Sequence, residues 1–287
     1  MTASEGERVR RLLFDTVAVS VLRKVVEVAA SAGVTVAPVK GVVLSRWLYD
    51  DVSDRPYRDL DLLIARDDLA RMRTAVEARG WPIQVHSPEM GELELTVDRL
   101  TVELHAEFGR RDLSRLTIAE LLARATVDGG TLPFQIRRID DVDHFLLLVA
   151  NVTKKAFTYA NPHQPEDLER FVARLRPRWG ELLERVRSAR LQTALRNVAL
   201  WMADEHRSAL FREFLGTMPA ARRRLLPAVI AWQRRRDRRR PERLASASGL
   251  FGLVLATQTP DDVRLRGRGL ARLLRRGAAR RLGRDPG

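Results

Sequence analysis

The run Asp59-Leu60-Asp61-Leu62-Leu63-Ile64 reads as a β-strand. Its alternation sends Leu60, Leu62 and Ile64 to one side, into packing, and sets Asp59 and Asp61 together on the other. Two carboxylates so close repel, and aspartate is poorly suited to a strand. The arrangement calls for a cation or for strong solvation. A divalent metal supplies the first, because hard cations such as Mg²⁺ bind carboxylate oxygens together with substrate phosphates. An edge strand whose polar face meets water supplies the second.

On the N-terminal side, apolar residues at helical spacing predict a helix over 6–30, stopped near Gly33. The β-branched stretch 34–39 predicts a strand, 42–49 a short helix, and the polar 50–58, with Pro56, a loop. On the C-terminal side, an acidic start and helical spacing predict a helix over 67–79, closed by Gly80. Strands follow at 81–86, 92–97 and 100–108, with Asp98-Arg99 as a turn between the last two. From about residue 112 the pattern is mostly helical, over 114–126, 140–158, 165–175, 178–206, 207–216, 219–239 and 262–283. A short strand at 132–138 interrupts it. The expected architecture is α+β: a small mixed β-sheet core with an N-terminal helix in residues 1–130, then a mostly helical, basic C-terminal domain in residues 131–287.

The 287 residues allow one large domain or two moderate ones. There are no cysteines, which excludes a disulfide scaffold, a cysteine nucleophile and thiolate zinc sites. Only five histidines occur, so a histidine-rich metal cluster is not expected. No apolar run is long enough to span a membrane, and Met1 to Glu7 lacks the basic start of a secretory signal, so the expectation is a cytoplasmic protein.

The formal charge of +14 is unevenly spread. Residues 1–130 carry 18 basic against 21 acidic side chains, whereas 131–287 carry 33 against 16, and 221–287 alone 19 against 5. Such asymmetry points to RNA or another polyanion as a partner for the C-terminal part. Only four of the 51 basic residues are lysine, a bias that genome composition also produces. The arginine-rich tail from Arg264, with its interspersed leucines, reads as a basic amphipathic helix or as a solvated helix edge.

A third acid strengthens the metal reading of Asp59 and Asp61. In 100–108, Glu103, His105 and Glu107 share one face and Val102, Leu104, Ala106 and Phe108 the other. A strand there, placed beside 59–64, brings Glu103 to the aspartates. Three carboxylates can hold two metals roughly 4 Å apart, the clamp used for in-line phosphoryl chemistry. His105 could position an acceptor or a water, or be a hydrogen-bonded structural histidine. Lys40-Gly41 ends one strand and opens a helix, where free backbone N–H groups and a compact cation suit a phosphate. Arg55 or Arg58 could add a phosphate contact or pair with Asp54 or Asp50. Lys155, on the helix predicted over 140–158, is a further candidate for the triphosphate.

Taken in order, Pro38-Val39-Lys40-Gly41, Leu48-Tyr49, Arg55-Pro56, Asp59-Leu60-Asp61-Leu62-Leu63-Ile64 and Val102-Glu103-Leu104-His105 resemble the uncharacterised nucleotidyltransferase family, a bacterial branch of the DNA polymerase β superfamily. Its members show a similar KG, an R-P before a D-[IL]-D-L-L strand, and a later E-[LV]-H strand. The superfamily's first motif is usually Gly-Ser or Gly-Gly, and Lys40-Gly41 stands in its place here. The resemblance implies a nucleotidyltransferase with Mg²⁺ (or Mn²⁺) as cofactor and a nucleoside triphosphate as substrate. Asp59, Asp61 and Glu103 would be the catalytic and metal-binding acids. Lys40, Gly41, Arg55 and Lys155 would contact the nucleotide. An acceptor hydroxyl on a small molecule, a peptide or RNA would attack the α-phosphorus and pyrophosphate would leave. Two other readings remain: a non-catalytic nucleic-acid-binding protein on the same fold, and a tRNA-modifying toxin.

Overall fold

The computed structural model describes residues 5–87, 91–107, 114–154 and 162–219. The helices expected over 219–239 and 262–283, with the basic tail, lie outside the described residues, as does Lys155. No helix among the described residues is long and apolar enough to cross a membrane.

Helix α1 (Glu5–Ser31) leads into β1 (Val36–Val39), α2 (Gly41–Trp47), β2 (Asp59–Ile64), α3 (Leu69–Ala78), β3 (Ile83–Ser87), β4 (Glu92–Val97) and β5 (Leu100–His105). Five strands form one mixed sheet in the order β1-β2-β5-β4-β3. Only the β2–β5 pairing is parallel; β1–β2, β5–β4 and β4–β3 are antiparallel. The fold is therefore α+β, with a mostly helical part after the sheet.

Local chemistry accounts for the element ends. Gly33 and Gly80 close α1 and α3 at φ 65° and 67°, each followed by an N–H that returns to a carbonyl five residues back (Val34 to Ala29, Trp81 to Val76). Asp98 and Arg99, both at positive φ (49° and 68°), make the tight turn that joins β4 to β5. The residues expected to start α3 at 67 instead form a short 3-10 turn over Arg66–Asp68.

The leucine sides of β2, β4 and β5 pack under α1 and α3. Val21, Leu22, Val25, Met72 and Val76 join Leu60, Leu62, Ile64, Leu93, Leu95, Val102 and Leu104 in one core cluster. Burial at about 1.5–3 kcal/mol per large aliphatic side chain fixes the strand register, since a one-residue slip would turn these leucines out. Covering that face leaves the other to the polar alternates of β2 and β5.

Beyond the sheet come α4 (Ile118–Arg124), β6 (Thr126–Asp128), β7 (Ile136–Arg138), α5 (Asp141–Lys154), α6 (Gln164–Arg174), α7 (Trp179–Ser188), α8 (Gln192–Glu205) and α9 (Ala209–Gly216). Three expectations are corrected here. The helix over 114–126 is shorter, starting at the Thr117–Glu120 capping box. Thr126 and Val127 leave it to form β6, which pairs antiparallel with β7, a strand shorter than the expected 132–138. The single helix over 178–206 is two, because Arg190 takes a left-handed conformation (φ 55°) and the Leu191 N–H closes onto the Val186 carbonyl.

The described residues divide into two compact units, the first drawn from Met1–Phe108 and Leu116–His144, the second from Gly109–Arg115 and Phe145–Gly287. The first contains the sheet and the opening turn of α5. The second has its own aromatic core, with Phe145 against Phe171 (5.9 Å) and Trp179 against Phe214 (4.9 Å between ring centroids).

Candidate active site

The parallel β2–β5 register sets Asp61 directly opposite Glu103, and Asp59 opposite Thr101. Neighbouring strands lie roughly 4.8 Å apart, and in-register residues of a parallel pair point the same way. Asp61 and Glu103 therefore face one another across the pleat, and His105, two residues along β5, joins them. His105 Nε2 lies 3.0 Å from Asp61 Oδ1 and 3.2 Å from Glu103 Oε2. On the other side of β2, Val39 pairs with Asp61, so Lys40 leaves β1 beside that carboxylate and its Nζ donates to Asp61 Oδ1.

The electrostatics follow from this packing. Asp61 is 5% exposed, and burial alone would push its pKa up. The Lys40 charge and the His105 hydrogen bond outweigh burial and hold Asp61 down at about 2. Glu103 is lowered, chiefly by its hydrogen bond to His105. His105 loses some basicity to burial but gains more from the two carboxylates, which lift it to about 8. Asp59 is raised, first by burial and then by the charges of Asp61 and Glu103.

These residues fit a divalent metal. One ligand atom each from Asp61, Glu103 and His105 lies within 4.8 Å of the others. Hard carboxylate oxygens suit Mg²⁺ or Mn²⁺. Three carboxylates face two cationic side chains, an excess of negative charge that a divalent cation would offset. Asp59 shares the face of Asp61 but stands outside the tight three-residue set.

At Gly41, the first residue of α2, a β-carbon would come within 2.6 Å of Tyr57 Cβ, so Tyr57 packs against this position. Tyr57 is held in place by its hydroxyl, which donates to Asp15 at 2.7 Å, and by the edge of Phe14 (5.4 Å). Arg55 is only 3% exposed, so it is a buried cation rather than one presented at the surface. Glu107, on the face of Glu103, pairs with Arg66.

Two participants carry no sequence signal. Tyr57 sits in a stretch that reads only as loop. His144, in the opening turn of α5, is 2% exposed, and its Nε2 accepts the Lys40 backbone N–H at 3.0 Å. Burial, followed by the charges of Arg138, Arg55 and Lys40, pushes its pKa down to about 3.

Comparison with known proteins bears on this arrangement. Among curated proteins none matches the chain. Two of the solved structures that resemble it are each 14% identical to it. The antibiotic-resistance factor ANT(2'')-Ia covers 67% of this chain and 98% of its own, with a TM-score of 0.45. A tRNA-processing enzyme complex covers 87% and 89%, with a TM-score of 0.26. A protein family described as uncharacterised nucleotidyltransferase matches residues 13–206, a span that holds Lys40, both aspartates of β2, and Glu103 and His105 of β5. The chain, with its acids paired across β2 and β5, belongs to that family of nucleotidyltransferases.

Proposed function

We propose that this protein is a metal-dependent nucleotidyltransferase that moves a nucleoside monophosphate from a triphosphate to an acceptor hydroxyl and releases pyrophosphate. The observation that supports it most is the Asp61–Glu103 pairing across parallel strands, with Asp59 on the same face. Asp59, Asp61 and Glu103 would hold Mg²⁺ or Mn²⁺. Such metals, when bound, lower the pKa of an attacking hydroxyl and neutralise charge on the leaving oxygens. The carboxylates set where the ions stand, and the buried Asp61 keeps its charge at any physiological pH. Lys40 contributes a fixed cation at the edge of this cluster. Its ammonium, which donates to Asp61 Oδ1, would supply positive charge to the β- and γ-phosphates of a bound triphosphate. His105 bridges Asp61 and Glu103 and keeps the two strands' carboxylates at a set spacing. Lys155 and Arg55 would add contacts to the nucleotide, Arg55 from a buried position.

Residues 1–130 would form the catalytic domain and 131–287 a helical, basic one. A triphosphate donor implies a cytoplasmic site of action. The acceptor is a small molecule, a peptide or RNA, and the basic C-terminal stretch favours an anionic one. The test incubates the full chain with Mg²⁺ or Mn²⁺ and each labelled triphosphate, with candidate acceptor pools. Metal-dependent pyrophosphate release and a mass increase of one nucleotide on an acceptor are expected, both absent in Asp61→Ala. Metal-independent binding of nucleic acid without pyrophosphate would instead favour a non-catalytic role.

A further inference from the structure

Lys40 has the least comfortable main chain near the acids. Its φ of 55° and ψ of −125° lie outside the left-handed helical region, in territory that glycine enters freely and other residues avoid. Strain of this kind persists only where surrounding contacts over-determine it. Two contacts do so. At one end the side-chain Nζ donates to Asp61 Oδ1. At the other the main-chain N–H donates to His144 Nε2 at 3.0 Å, across 104 positions of sequence. His144 is buried, at 2% exposed. A histidine in this place gives the lysine backbone N–H a side-chain acceptor.

Resting on the nucleotidyltransferase reading, we propose that His144 is a positioning residue. It pins the main chain of residue 40 in a glycine-like shape, so that the Lys40 ammonium stays on Asp61. The fixed cation is what the strained main chain secures. Glycine would take the same backbone shape without strain and without the ammonium.

The chain has only four lysines, at 24, 40, 154 and 155, so the side-chain ammonium of Lys40 can be followed directly by ¹⁵N NMR. Its resonance, identified by its loss in Lys40→Gly, is expected to be protected from exchange by Asp61. It should lose that protection in His144→Leu and keep it in His144→Gln, whose amide oxygen can accept the same N–H. Lys40→Gly relieves the main chain but leaves the buried Asp61 carboxylate without its ion-pair partner, and it should lower kcat at least about tenfold. His144→Leu should lower kcat by a similar factor with the triphosphate KM within about threefold, should recover as His144→Gln, and should cost nothing further in the Lys40→Gly background. An unchanged Lys40 resonance in His144→Leu, or protection lost in His144→Gln as well, would overturn the proposal. Absence of pyrophosphate release by the wild type would sink the enzyme reading alone, since the resonance is read without turnover.

Discussion

Asp61 receives positive charge from two directions, Lys40 from β1 and His105 from β5. A carboxylate so placed stays ionised and aimed, and its loss removes both charge and order. Asp61→Asn is expected to cut turnover on the order of a thousandfold, measured as pyrophosphate release per folded molecule; a loss below about tenfold would contradict its role. His144 gives a second test at this scale. Its folded pKa of about 3 lies below the ordinary 6.5, so the unfolded chain binds the extra proton between those values. Stability from this group is complete above pH 6.5 and declines as pH falls toward 3, by up to about 1.4 kcal/mol per pH unit. Urea unfolding at pH 7.5 and pH 5 should show a loss in the wild type that shrinks in His144→Gln; equal losses would contradict it. The acids were legible from alternation alone, because a strand fixes which side chains share a face. His144 was not, because its part depends on where a helix 104 residues away comes to rest. Nor was the burial of Arg55, since an arginine in a polar loop carries no mark of where the loop folds back.

At the scale of elements, β2 and β5 were readable to within a few residues, and their adjacency was the one assumption that periodicity could not supply. Parallel pairing at Asp61–Glu103 is set by the common leucine face under α1 and α3. Element ends marked by glycine were readable and the one at Arg190 was not. Gly33 and Gly80 announce their helix stops, whereas Arg190 adopts the same left-handed shape with a side chain that gives no warning. Arg190→Gly should therefore stabilise the chain by about 1 kcal/mol, seen as a higher urea midpoint; a lower midpoint would mean the arginine's contacts matter more than its backbone. Gly41 works in the opposite sense. A β-carbon there meets Tyr57 at 2.6 Å, and Tyr57 is locked to Asp15, so Gly41→Ala should destabilise by about 1–3 kcal/mol. An alanine variant as stable as wild type would show that Tyr57 gives way freely.

At the scale of the whole molecule, charge and chemistry are separated along the chain. The acidic cluster lies in the first unit, and most of the excess positive charge lies in sequence after it. Composition alone showed that division, while the line between the two units was not legible, because α5 runs on through it as one helix. The proposed catalysis depends on Asp59, Asp61 and Glu103 serving as one site for divalent metal. Anomalous diffraction from crystals grown with Mn²⁺ and a non-hydrolysable nucleoside triphosphate tests this most directly. Manganese peaks are expected within coordination distance of carboxylate oxygens of Asp61 and Glu103, lost in Asp61→Asn. Manganese bound elsewhere on the chain, with these carboxylates uncoordinated, would contradict it.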